Sequence, residues 1–250
     1  MATEKKVLFT NKKEMSPVMT ESMRALRTNI QFCGDDVHTI LFTSTFPDEG
    51  KSTVVLNLAE SIGKSGQKVL VLDTDMRKSV IINENGVRME GNRYEKIYGL
   101  SHYLSGQKDL KGVVYHTDME MVDIIFAGRS VPNPTEMLNK KYFTDLLEYG
   151  KAEYDYILVD CAPVTAAIDA VLVAHYCDGA IVVIEQGKVN SRYAAETKKQ
   201  LTSSGVRLLG AILNKVKKKK TVYGDYYGGY YGKYYGSYDP RKTQEKEKNT

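Results

Sequence analysis

Short apolar runs recur along the chain, each closed by polar or turn-forming residues. They fall at 39–42, 68–75, 122–126, 156–160, 180–185 and 208–216, and read as buried strands. Between them the apolar period lengthens to that of a helix. Met19, Met23, Leu26 and Ile30 form one stripe, opened by Ser16-Pro17, a capping hydroxyl followed by proline at the first helical position. Val55, Leu58, Ala59 and Ile62 form a second stripe over 54–62. Further helices are predicted at 99–106, from Asn133-Pro134 to about 149, at 168–176 and at 190–204. Strands alternating with helices predict an α/β fold with a mainly parallel central sheet flanked by helices. Residues 1–15 are polar and expected to be loose, and 76–98 to hold a loop and a short helix.

The chemistry sits where the runs end. The first strand leads into Thr43-Ser-Thr-Phe-Pro-Asp-Glu-Gly-Lys-Ser-Thr53 and then into a helix. Strand, tight loop, Gly-Lys-Ser and helix is the context of a phosphate-binding loop, where free backbone amides and a helix N-terminus face an anion. Pro47, Asp48, Glu49, Gly50, Lys51, Ser52 and Thr53 would line it, with Lys51 on the outer phosphates and Ser52 on Mg²⁺. Alone, Gly-Lys-Ser also describes an ordinary surface turn. Two more strand ends argue otherwise: 68–75 closes on Asp73 and Asp75, followed by Arg77, and 156–160 closes on Asp160. Ligands of open parallel sheets bind outside the carboxyl ends of the strands, so the loop and three acids share one rim. That is the equipment of Mg-nucleotide chemistry. Arg129, after the 122–126 run, joins this rim or is a solvated loop charge.

Composition narrows the class. The chain has 250 residues and a net charge of +4, enough for one full core. Cys33, Cys161 and Cys177 are widely spaced, which fits a reducing compartment, and four scattered histidines suggest no metal cluster. No signal peptide or membrane-length apolar run is evident, so an intracellular protein is expected. Past 216 the character changes. A run of lysines precedes Tyr223, Tyr226, Tyr227, Tyr230, Tyr231, Tyr234, Tyr235 and Tyr238, interleaved with glycine. No period fits, and a disordered tail is expected. It could be a sticky end, a nucleic-acid arm of lysine and tyrosine, or a set of phosphate acceptors.

Together these residues resemble the bacterial tyrosine kinases of capsule and exopolysaccharide synthesis, of the cytoplasmic autokinase type. The pieces are Glu21-x-x-Arg24-x-x-Arg27, a loosened Walker A ending Gly50-Lys-Ser-Thr53, Leu70-Val-Leu-Asp73-Thr-Asp75-Met-Arg77, Walker B Ile157-Leu-Val-Asp160 and the tyrosine cluster. The resemblance runs from about 16 to 238 and implies a P-loop NTPase fold with ATP and Mg as cofactors. It implies tyrosine autophosphorylation within a homo-oligomeric ring, a dedicated phosphotyrosine phosphatase, and activation by the cytoplasmic tail of a separate membrane protein. That partner would recruit the chain to the inner face of the membrane. No nucleic acid is expected. Glu21, Arg24 and Arg27 would touch a neighbouring subunit, or only pair in water; Asn214 would bond the adenine edge; Arg77 would steady phosphates or a subunit contact. Ser52, Asp75 and Asp160 are assigned to the metal and Asp73 to the tyrosine proton, although the sequence leaves the two roles of Asp73 and Asp75 interchangeable.

Two departures stand out: Thr45 replaces the loop's first glycine, and Cys161-Ala-Pro163 follows Walker B where a second proline is usual. Septum-positioning and plasmid-partition ATPases share the expected fold but carry an extra lysine where this chain has Phe46. A nucleotide-gated, non-enzymatic export scaffold is the other alternative. The expected organisation is an N-terminal arm and oligomerisation helix at 1–36, a kinase domain at 37–216 and the tail at 217–250.

Overall fold

A computed structural model describes residues 5–138 and 141–217. The expected disordered tail, with its eight tyrosines, lies outside the described residues from 218 onward. Residues up to Lys215 belong to one compact unit, and the division falls before Val216.

The frame is a seven-stranded sheet. In chain order its strands are β2 (Thr39–Ser44), β3 (Val69–Asp73), β5 (Tyr115–His116), β6 (Val122–Ile125), β7 (Tyr156–Asp160), β8 (Gly179–Glu185) and β9 (Leu208–Asn214). Their spatial order is β5-β6-β3-β7-β2-β8-β9, parallel throughout except for β5, which runs antiparallel to β6. The central strands are near-continuous aliphatic runs because both faces of the sheet are covered. Alternation divides them: Ile40 and Phe42 join one apolar cluster, and Leu41 joins the other. All three are fully buried. Each contributes about 1.5–3 kcal/mol relative to an exposed position.

The first cluster lies under α1 (Pro17–Gln31) and α2 (Lys51–Gly63). Ser16 caps α1 as its sequence suggests, its Oγ accepting from the Met19 amide at 3.3 Å. The expected one-sided stripe on α2 is corrected. Val54, Val55, Leu56, Leu58 and Ile62 are all buried, because α1 covers the face that the sheet leaves free. The second cluster packs under α4 (Leu100–Leu104), α5 (Pro134–Leu138), α6 (Lys141–Glu153), α7 (Asp169–Ala174) and α8 (Ser191–Thr202).

Two further expectations change. Of the stretch expected to be loose, residues 7–9 are not: β1 (Val7–Phe9) pairs antiparallel with β4 (Val87–Met89), placing Val7 and Phe9 in the core. The 76–98 stretch therefore holds that strand as well as the short α3 (Ile81–Glu84). The helix expected from 133–134 to about 149 is described as α5 and α6, on either side of residues 139–140, the latter ending at Glu153. Among the described residues, no helix is long and apolar enough to cross a membrane.

Candidate active site

The carboxyl ends of β2, β3 and β7 open into a cavity of about 350 Å³. It is lined by Pro47, Asp48, Gly50, Lys51, Ser52 and Thr53 from the loop, and by Asp73, Asp75, Arg77 and Asp160 from the neighbouring strand ends. The structure thus gathers at one rim nearly every residue that the sequence assigned there.

The loop's geometry follows from what holds its carbonyls. Lys188 Nζ donates to the Pro47 oxygen at 2.6 Å, Lys215 Nζ to the Asp48 oxygen at 2.5 Å, and Asn214 Nδ2 to the Glu49 oxygen at 2.8 Å. In a planar trans peptide each carbonyl points away from the following amide. Pulling three successive carbonyls outward therefore turns the amides of Asp48, Glu49 and Gly50 inward. The amides of Lys51, Ser52 and Thr53 continue the array as the unpaired first turn of α2. Among the described residues, none of these six amides donates to another protein group. Asp48 (φ 63°) and Gly50 (φ 88°) both take left-handed conformations to make the turn. At Gly50 a Cβ would also lie 2.3 Å from Asn214 Nδ2, so only glycine fits.

Glu49 turns away from the cavity. It is fully buried; its Oε2 accepts from the Phe46 amide at 2.8 Å and its Oε1 from the Glu185 amide at 3.1 Å, so it braces the loop from behind. Thr45, at the missing glycine, is buried against Thr197, their hydroxyl oxygens 3.1 Å apart. Phe46 packs edge-on against Tyr193 with ring centres 5.2 Å apart, so the position that carries a lysine in the positioning ATPases here anchors α8.

The acids face one another. Asp73 and Asp160 are register partners on adjacent strands, and both are buried. Burial, then the Asp160 charge, pushes the Asp73 carboxyl well above its ordinary range; the Ser79 hydroxyl (2.5 Å) and the Asp75 amide (3.0 Å) only partly offset this. Burial also raises Asp160, against the opposing pull of Lys51 and Ser52. One Asp160 oxygen, Oδ1, is buried and meets no partner among the described residues. Asp75 is half-buried, and its Oδ1 accepts from the Lys78 amide at 2.9 Å, which shapes the turn after β3.

Some assignments shift. Asn214 holds the phosphate loop with its amide group. Arg77 makes a two-point pair with Asp169, Nε to Oδ2 at 2.7 Å and Nη2 to Oδ1 at 3.2 Å, and Thr135 also donates to that carboxylate at 2.6 Å. Glu21 and Arg24 form an exposed pair at 3.7 Å, whereas Arg27 turns inward and donates to the Ser61 carbonyl of α2 at 2.6 Å. Arg129 lines a separate cavity two strands from β7. Lys188, Lys215 and Asp169 were not legible as site residues. Lys188 and Lys215 flank predicted element ends, but the contact each makes spans more than a hundred residues.

Comparison with known proteins places this geometry. An AAA-domain family model matches residues 40–219. Tyrosine-protein kinase CpsD of Streptococcus agalactiae is 38% identical over 206 residues, covering 82% of this chain and 87% of that one. The kinase domain of the Escherichia coli tyrosine kinase ETK superposes with a TM-score of 0.75 at 32% identity, covering 83% of this chain and 80% of that one. The septum site-determining protein MinD of Pyrococcus horikoshii, complexed with Mg-ADP, matches with a TM-score of 0.60 at 24% identity, covering 74% and 72%, and shares the fold. With the phosphate loop, the paired acids of β3 and the acid of β7 in place, and relatives of this identity matched along most of their length, the chain belongs to the family of bacterial tyrosine-protein kinases.

Proposed function

We propose that the rim transfers the terminal phosphoryl group of Mg-ATP to tyrosine hydroxyls of the chain's own tail, in the service of capsule or exopolysaccharide synthesis. The observation that carries this reading is the inward array of six amides from Asp48 to Thr53, with Lys51 among them, set opposite three carboxylates. Amides and Lys51 bind and orient the phosphates. Asp73, once ionised in the Mg-nucleotide complex, takes the tyrosine proton; burial and the Asp160 charge make it a stronger base than an ordinary aspartate.

The donor set fits Mg²⁺. Asp160 Oδ1 is buried without a partner, Ser52 and Asp75 line the same cavity, and all are hard oxygen donors. Among the described residues no three or more His, Cys, Asp or Glu side chains form a metal cage. That suits Mg²⁺, which typically takes one or two carboxylates, with phosphate oxygens and water completing the shell. When bound, the ion neutralises charge on the phosphates.

Glu21 and Arg24 are offered as a ring contact, since both stand exposed on α1. The same family membership supports activation by the cytoplasmic tail of a membrane protein and reversal by a phosphotyrosine phosphatase. Lys51→Met is the test: phosphotyrosine should vanish at saturating ATP while the circular dichroism spectrum stays unchanged. Wild-type autophosphorylation in that variant would refute the assignment.

A further inference from the structure

A second cavity, of about 420 Å³, opens beyond the carboxyl end of β6. It lies on the same rim as the phosphate loop, three strand spacings from β2, or about 14 Å at 4.7–4.9 Å per strand. Ser101, His102 and Arg129 line it. His102 of α4 is 3% exposed, and its Nδ1 accepts from the Gly99 amide at 3.1 Å. A neutral ring in that arrangement carries its proton on Nε2. That Nε2 is buried and has no partner among the described residues. Burial, followed by the charges of Lys96 and Arg129, holds the imidazole below its ordinary pKa and so neutral. Ser101 Oγ accepts from the Arg129 amide at 2.8 Å, leaving its own proton to donate. The Arg129 side chain is exposed and makes no ion pair among the described residues.

This close packing depends on Gly128 (φ 84°). A Cβ there would stand 2.6 Å from Ser101 Oγ and 2.9 Å from His102 Nδ1. Charge around the cavity is mainly positive. Lys96 and Lys108 sit 5.2 and 4.2 Å from the centre of the Tyr98 ring, which meets His102 edge-on at 5.1 Å. The one acid on the wall, Glu136, is 3.5 Å from Asn133 Nδ2. Val131, Pro132 and Met137 add apolar lining. The mainly positive surroundings and the exposed Arg129 guanidinium favour an anion. Donors beside an apolar wall suit a phosphate carried on an aryl ring.

We propose that this cavity is a phosphotyrosine site that receives a phosphorylated tyrosine from the tail of this chain or of a second copy. Arg129 and the Ser101 hydroxyl hold the phosphate, and Val131, Pro132 and Met137 pack on the ring. The choice of occupant rests on the kinase reading above. The site is wired to the catalytic rim: Val131 N donates to the Met76 carbonyl at 3.2 Å and Ser130 Oγ to the Arg77 carbonyl at 3.3 Å, so the Arg129 loop is bonded to the turn that follows Asp73 and Asp75.

The test uses the full chain with Mg-ADP at saturation and calorimetry at fixed ionic strength. The probe is a synthetic peptide of residues 225–238 phosphorylated at Tyr231, compared with the same peptide unmodified, phenyl phosphate and inorganic phosphate. The phosphopeptide should bind at least tenfold more tightly than the unmodified one, and phenyl phosphate should compete at least tenfold better than inorganic phosphate. Arg129→Ala, at an exposed position that should fold normally, should weaken binding tenfold or more; Arg129→Lys should restore part of it. No phosphopeptide binding, equal binding by Arg129→Ala, or equal competition by inorganic phosphate would each overturn the proposal. The peptide arrives already phosphorylated, so the result is independent of transfer: loss of autophosphorylation would defeat the kinase reading and leave this one standing, and the reverse also holds.

Discussion

Asp73 and Asp160 meet across neighbouring strands with too little water to keep both ionised cheaply. The folded protein therefore holds a proton at Asp73 that the unfolded chain releases near pH 4. Where the native state binds more protons, stability falls as pH rises. The nucleotide-free protein should lose stability from about pH 4 upward, through the raised Asp73 value. Asp73→Asn should flatten that part of a melting-temperature profile, raise the melting temperature at alkaline pH and abolish transfer. A variant that melts earlier than wild type at alkaline pH would show that the two carboxylates do not repel. Asn214 makes a second residue-scale case. Asn214→Ala frees the Glu49 carbonyl and the peptide plane behind Gly50. Losing a bond of this kind costs about 1–2 kcal/mol. Nucleotide affinity should fall about five- to thirtyfold with the fold intact, as read by fluorescent-nucleotide titration.

The elements were legible in proportion to how local their signals are. The strand end at Asp160 and the cap at Ser16 are written in consecutive residues, and the structure places them as read, whereas the strand read as 68–75 stops at Asp73 and leaves Asp75 in the turn. β1 was missed because three residues, Val7–Phe9, give too short a period to recognise. Its pairing partner, Val87–Met89, lies eighty residues away. The Lys188 and Lys215 contacts failed for the same reason: what each lysine does is decided by a loop far away in the chain. Arg27 looked like a member of a charged flank because helical spacing gives direction but not what stands opposite. Here α2 stands opposite, and the guanidinium reaches the Ser61 carbonyl. The short strand makes its own prediction. Val7 is fully buried. Val7→Asp places an unpaired carboxylate there and should cost at least about 3 kcal/mol by urea denaturation. A change under about 0.5 kcal/mol, ordinary for a surface site, would mean that β1 adds nothing to the core.

At the scale of the whole molecule, the rim and the tail have to find each other. Composition predicts a glycine-rich arm after Asn214, and the stretch to Tyr238 would span roughly 27 Å at about 5–6 Å times the square root of residue number. If the chain assembles as proposed, that reach would cover a neighbouring subunit, and tethering would supply an acceptor concentration on the order of millimolar, so that no tuned recognition sequence would be needed. Residues 215–250 carry ten Lys/Arg and four Asp/Glu, a net charge of +6. Each phosphate adds about −1.5 to −2, so three or four neutralise the arm. The most direct measurement mixes Lys51→Met protein bearing an intact tail with active protein lacking residues 221–250, supplies labelled ATP, and maps phosphotyrosine on the inactive chain. Label on its tyrosines between 223 and 238 is the result expected if this rim is the catalytic site and the neighbour's tail its substrate. An unlabelled inactive chain, while wild type labels well under the same conditions, would contradict it.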